Sequence, residues 1–125
     1  MDTPVNHVLM HGISNCDTIK KAKKWLLAQG IEFSFRDYKK QPPSLEELRE
    51  WSLILGWEEL LNKRGSTWRK LPEEVQISVN ETNVFALLHD NPSMVKRPLL
   101  VVQNATQINA FLGFKPEQYA TIFKL

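Results

Sequence analysis

The hydrophobic positions of this chain change period along its length, and each change marks an element. His7-Val8-Leu9-Met10 is a short apolar run without helical spacing, as in a buried strand. His11-Gly12-Ile13-Ser14-Asn15 follows as a tight connecting loop. From Asp17 the period lengthens. Ile19, Ala22 and Leu26 recur at helical spacing with Trp25 beside them, which predicts a helix over 17–29. Lys20, Lys21, Lys23 and Lys24 take mainly the other positions, as a solvated face, and Gly30 is a good stop. Phe33, Phe35 and Asp37 then alternate with Ser34 and Arg36, which predicts a strand over 32–38. Strand, helix and strand in such close succession form a βαβ unit, with parallel strands and a right-handed crossover.

Residues 39–43 form a polar loop, and Pro42-Pro43 blocks continuation of the strand. Ser44-x-x-Glu47 is a capping-box sequence opening a helix to residue 55, with Leu48, Trp51, Ser52 and Leu55 along one face and Gly56 at its end. A short helix over 57–61 and a polar loop, Arg64-Gly65-Ser66-Thr67-Trp68-Arg69, come next. A helix over 81–90 follows, with Val84, Leu87 and Leu88 inward and Asn91-Pro92 closing it. Pro98-Leu99-Leu100-Val101-Val102 is a continuous apolar run, as in a central strand. Asn104-Ala105-Thr106 turns the chain into a strand over 107–111, which makes a hairpin. Beyond Gly113, Pro116 opens a last helix over 116–123 with Tyr119, Ile122 and Phe123 on one side. The order is β-α-β, then helices, then β-β-α. It predicts an α/β, thioredoxin-like fold: a four-stranded mixed sheet flanked by helices, with a helical insertion over residues 44–92 between the βαβ and ββα halves. No repeat, low-complexity segment or linker interrupts the sequence, so residues 1–125 are expected to form a single domain.

Composition mainly excludes. Sixteen basic against 14 acidic side chains leave a net charge of +2, too small to argue for nucleic acid. No apolar run approaches the roughly 18–20 residues that span a bilayer, and Met1-Asp2-Thr3-Pro4 lacks the pattern of an export signal. With one cysteine, a reducing cytoplasm is the expected compartment and a monomer the expected state. His7, His11 and His89 show no metal-ligand spacing with that cysteine, so neither a metal nor a bound cofactor is expected.

The candidate chemistry starts at Cys16, where strand hands over to helix. A thiol there lies near backbone N–H groups that no carbonyl accepts, which favours its anion, the reactive form. A helix terminus contributes only about 0.3–1 kcal/mol, less than one pKa unit, so a strong nucleophile needs a cation as well. The other reading is a small, inert buried residue. Arg97, entering the apolar strand ahead of Pro98, is the candidate cation; the alternative is a strand-end arginine in water. Arg64 sits in a donor-rich loop suited to an anion or carboxylate, or simply to solvent. Asn15 and Thr18 flank the thiol and can hydrogen-bond it or cap the helix, capping being the simpler role. Asp17 suits the positive end of the helix but opposes a thiolate and any second anion.

At these residues the chain resembles the arsenate reductase (ArsC)/Spx family, most closely its YffB-type branch. The resemblance rests on Gly12-Ile13-Ser14-Asn15-Cys16-Asp17-Thr18-Ile19-Lys20-Lys21-Ala22, on Asp37-Tyr38-Lys39-Lys40, on residues 60–71 around Asn62-Lys63-Arg64-Gly65, on Lys96-Arg97-Pro98-Leu99-Leu100, and on Gly113-Phe114-Lys115-Pro116-Glu117. It implies that Cys16 is the nucleophile, that Arg97 lies beside it ahead of a cis-proline, Pro98, and that glutathione is recognised nearby, with Arg64, Asn15 and Thr18 in its site. Two departures narrow it. Asp17-Thr18-Ile19-Lys20 replaces the oxyanion-cradling loop of arsenate reductases, whose third arginine has no counterpart nearer than Lys115, so arsenate reduction is disfavoured. Ile19 stands where Spx regulators carry the second cysteine of a Cys-x-x-Cys switch.

The resulting expectation is a glutathione-dependent thiol reductase. Cys16 would attack a disulfide or glutathione adduct, and external glutathione, with or without a glutaredoxin, would resolve the product, since the chain holds no second thiol. The competing expectation is an Spx-like binding module that contacts RNA polymerase and regulates transcription.

Overall fold

The computed structural model describes residues 7–14 and 16–125. The chain divides into two compact units, one of Met1–Asp37 with Arg97–Leu125 and the other of Tyr38–Lys96.

The first unit holds a sheet of four strands, β1 (His7–Gly12), β2 (Ser34–Asp37), β3 (Leu99–Gln103) and β4 (Ile108–Leu112), in the order β2-β1-β3-β4. β1 runs parallel to β2, with Met10 opposite Phe35 and Gly12 opposite Asp37. β3 pairs antiparallel with β1 and with β4, so that Leu100 sits between Met10 and Phe111. This is the mixed sheet expected from the apolar runs. Strand alternation sends Val8, Met10 and Leu100 to one face. There they meet Ile19, Ala22 and Leu26 of helix α1 (Asp17–Ala28) and Tyr119 of helix α7 (Pro116–Ile122). The α1 residues recur at three- and four-residue spacing because one face of that helix is buried in this cluster. Gly30, at φ 70°, takes the left-handed conformation that ends it.

The strand boundaries differ from expectation. β1 continues through His11 and Gly12, read as loop, because pairing with Arg36, Asp37 and Leu99 extends it on both sides. β2 is shorter than 32–38 and β4 is shifted one residue, to Ile108–Leu112.

The second unit contains α2 (Leu45–Leu55), α3 (Trp57–Leu60), α4 (Ser66–Arg69), α5 (Glu73–Ser78) and α6 (Val84–Asp90), followed by a 3-10 turn, Pro92–Met94. The capping box is formed: Glu47 N–H donates to Ser44 Oγ at 3.1 Å, and Ser44 N–H donates to Glu47 Oε1 at 3.1 Å. Ser44→Ala removes one of these bonds and leaves an amide unsatisfied; chemical denaturation is expected to show a loss of about 1 kcal/mol. Gly56, at φ 90°, separates α2 from α3. Four expectations are corrected here. Residues 66–69 are a helical turn rather than loop, α5 was not anticipated, and α6 begins at Val84 because Asn80 and Asn83 hold residues 80–83 in a side-chain-bonded turn. Phe85, not Leu87, joins Val84 and Leu88 in the interior.

Candidate functional site

The strand-to-helix junction of the first unit is built as follows. β1 ends at Gly12 and Ile13 is buried. Ser14 Oγ donates to Asp37 Oδ2 at 3.3 Å, tying the loop to the end of β2. Cys16, half-buried, is the N-cap of α1, with extended backbone at φ −110° and ψ 129°. Its carbonyl accepts the first helical bond, from Lys20 N–H at 3.0 Å.

An N-cap is usually Ser, Thr, Asp or Asn, whose oxygen accepts amides of the first turn. Here no conventional side-chain cap is made, and sulfur occupies the position. Burial pushes the thiol up, but the backbone amides of Ile19 and Thr18, and then the hydrogen bond and charge of Arg97, outweigh it. The net result is a thiol below the ordinary range. The amides act more strongly than the guanidinium, so the helix start is the larger favourable influence and Arg97 adds to it.

Arg97 reaches this place through the chain's path into β3. The Arg97-Pro98 peptide is cis, and Gly113 N–H donates to the Pro98 carbonyl at 2.9 Å, anchoring the entry of the strand. Pro98 itself is buried. The structure therefore brings together Cys16, Thr18 and Arg97, with Pro98 following Arg97 at the entry of β3. Thr18 contributes through its amide, and the side-chain cap expected of it is absent, because Cys16 itself is the N-cap residue. Asn15 lies outside the described residues. Asp17 is exposed in the first turn, and His11 is buried at the end of β1.

Arg64 belongs to the second unit, in the turn between α3 and α4. Asn62 Oδ1 accepts Arg64 N–H at 3.1 Å. Asn62 N–H donates to the Met94 carbonyl at 2.8 Å, and Lys96 N–H donates to the Leu60 carbonyl at 2.8 Å, so the turn is pinned to the segment preceding Arg97 in sequence. Lys63 Nζ stands 5.6 Å from the Trp68 ring centre.

Two contributors escaped the sequence reading. Ile19, expected in the core and at the Spx cysteine position, also favours the thiolate through its backbone amide; its place as third residue after an N-cap is the available signal. The Ser14–Asp37 bond spans 23 positions and depends on strand register, which no local pattern encodes.

A model of the ArsC family matches residues 11–122. The chain belongs to the ArsC family. Among solved structures, an arsenate reductase (ArsC) related protein from Brucella melitensis is 44% identical, with a TM-score of 0.70, covering 98% of this chain and 99% of that one. A YffB protein is 38% identical, with a TM-score of 0.81, over 91% of this chain and 96% of that one. Among curated relatives, the regulatory protein MgsR of Bacillus subtilis is 36% identical over 88% of this chain and 85% of its own length. The ArsC chain thus has the thioredoxin-like, thiol-reductase-like fold. No helix among the described residues is long and apolar enough to cross a membrane.

Proposed function

We propose that this ArsC-family chain is a glutathione-dependent thiol reductase with Cys16 as its nucleophile. The observation that carries the reading is the sulfur at the N-cap of α1, faced by two backbone amides and by Arg97. The Cys16 thiolate attacks the glutathione sulfur of a mixed disulfide, and the substrate leaves as a thiolate. A glutathione thiolate then attacks that same glutathione sulfur, now bonded to Cys16; the new bond makes oxidised glutathione and Cys16 leaves as thiolate. One disulfide is reduced and two glutathiones are joined, so the electrons balance with glutathione as reductant. A glutaredoxin is an alternative resolving thiol. Arg64 is assigned a glutathione carboxylate, for which its planar fork is suited.

Incubation with oxidised glutathione followed by mass measurement tests this. Wild type is expected to gain one glutathione, Cys16→Ser none, and Arg64→Ala to need a several-fold higher concentration for the same extent. A wild-type chain that gains no adduct while its thiol remains alkylatable would sink the reading.

The resemblance to the regulatory protein MgsR favours a second reading, a regulator. With one cysteine an internal disulfide switch cannot form. Stoichiometric recovery of RNA polymerase on the immobilised chain, unchanged by Cys16→Ser, would favour this reading over the enzyme.

A further inference from the structure

Gly12 ends β1, and Ile19 is the third residue of α1. The two elements approach so closely that a Cβ on Gly12 would collide with Ile19 Cδ1, lie 3.1 Å from Ile19 Cγ1 and lie 3.6 Å from Arg97 Cβ. The Gly12 backbone is outside the left-handed region, so an alanine there meets no conformational penalty and the constraint is space alone. Ile19 cannot easily give way. It is fully buried against Met10, Ala22, Leu26 and Leu100, and a packed interior relieves crowding by shifting backbone.

We infer that Gly12 is a positioning residue for Cys16: its missing side chain lets the first turn of α1 close on the strand end, setting the Ile19 amide on the sulfur. This rests on the reading of Cys16 as the reacting thiolate. The residue that an added methyl would push is Ile19, whose amide favours the anion, while Arg97, whose guanidinium also favours it, would only come into ordinary van der Waals contact with that methyl. Hydrogen bonds weaken steeply with distance and angle, so a displacement of a few tenths of an ångström is felt at the sulfur. Among the described residues, the charged and titratable groups near this end of the sheet include Asp17 in α1, His11 at the end of β1, Arg36 and Asp37 in β2, Arg97 before β3 and Lys115 before α7. Of these, Arg97 is the one a Gly12 methyl would touch.

The test is the thiol pKa of the full chain, read from pH-dependent alkylation by iodoacetamide without glutathione. Gly12→Ala is expected to raise it by about one unit, a roughly tenfold loss of thiolate at neutral pH. Ile19→Val removes Cδ1 alone, and the double variant is expected to return to the wild-type value. A purely structural role would lower the melting temperature without moving the pKa. A folded Gly12→Ala with the wild-type pKa overturns the inference. So does a double variant that stays raised while Ile19→Val alone is unchanged. If Gly12→Ala does not fold, the double variant decides: folded with the wild-type pKa supports the inference, whereas unfolded or raised overturns it. Failure of the glutathione reading shows separately, as a low wild-type pKa with no adduct.

Discussion

Arg97→Ala is expected to slow alkylation of Cys16 at neutral pH by about tenfold, with little loss of thermal stability. Burial opposes the thiolate, and the amides of Ile19 and Thr18 together with Arg97 overcome that opposition. The variant keeps the amides and loses the hydrogen bond and the charge, so the pKa rises without the site being dismantled. Hydrogen bonds to charged groups contribute about 1.5–3 kcal/mol, and half-exposure reduces this to roughly one pKa unit. The rate profile of the variant should shift to higher pH and converge with wild type once both thiols are ionised. The same shift appears in stability. A thiol whose folded pKa is depressed contributes stability that is fully present above its unfolded value, about 8.5, and is lost as pH falls through the folded pKa. Wild type should therefore gain on Cys16→Ser as pH rises through the depressed folded pKa to the unfolded one, and Arg97→Ala should flatten that gain. An alkylation profile for Arg97→Ala that overlays wild type would remove Arg97 from the site.

Leu100→Ala is expected to cost about 2–5 kcal/mol, read by urea unfolding, and to lower the melting temperature by roughly 10 °C or more. Leu100 is fully buried in β3, paired with Met10 on one side and Phe111 on the other, and packed in the cluster that holds Ile19, Leu26 and Tyr119. Truncation there leaves a cavity that a strand bonded on both edges cannot collapse into. Total stabilities of about 5–15 kcal/mol make this a large share. Ile108→Ala, at the start of the outer strand β4 and 49% exposed, is the control and should change stability by less than about 1 kcal/mol. A loss at Leu100 no larger than at Ile108 would mean that the cluster does not organise the sheet.

The legible part of the fold was the part set by periodicity. Ile19, Ala22 and Leu26 marked α1, the run from Leu99 to Val102 marked β3, and Ser44 with Glu47 marked the start of α2; each is a local pattern with a local cause. The illegible part was set by partners far along the chain. His11 and Gly12 look like loop in isolation and become strand because β2 and β3 pair with them. Residues 66–69 look polar and irregular, yet they form a helical turn whose Trp68 is buried. At the site, Cys16 could be found from its place between elements. The balance between burial, amides and Arg97 could not, since it depends on how closely α1 approaches the strand ends.

A helix whose N-cap residue is a cysteine has a first turn that redox chemistry can alter. As a thiolate, Cys16 is favoured by the amides of Thr18 and Ile19. Once its sulfur is tied into a disulfide it becomes a weak neutral acceptor, and those amides lose their partner. The first turn of α1 is therefore more stable in the reduced protein than in the oxidised one. Around a thermodynamic cycle, that difference raises the reduction potential of any disulfide made at Cys16. On the proposed reading, a mixed disulfide formed at Cys16 would be readily opened by an incoming thiol rather than held as a lasting cross-link.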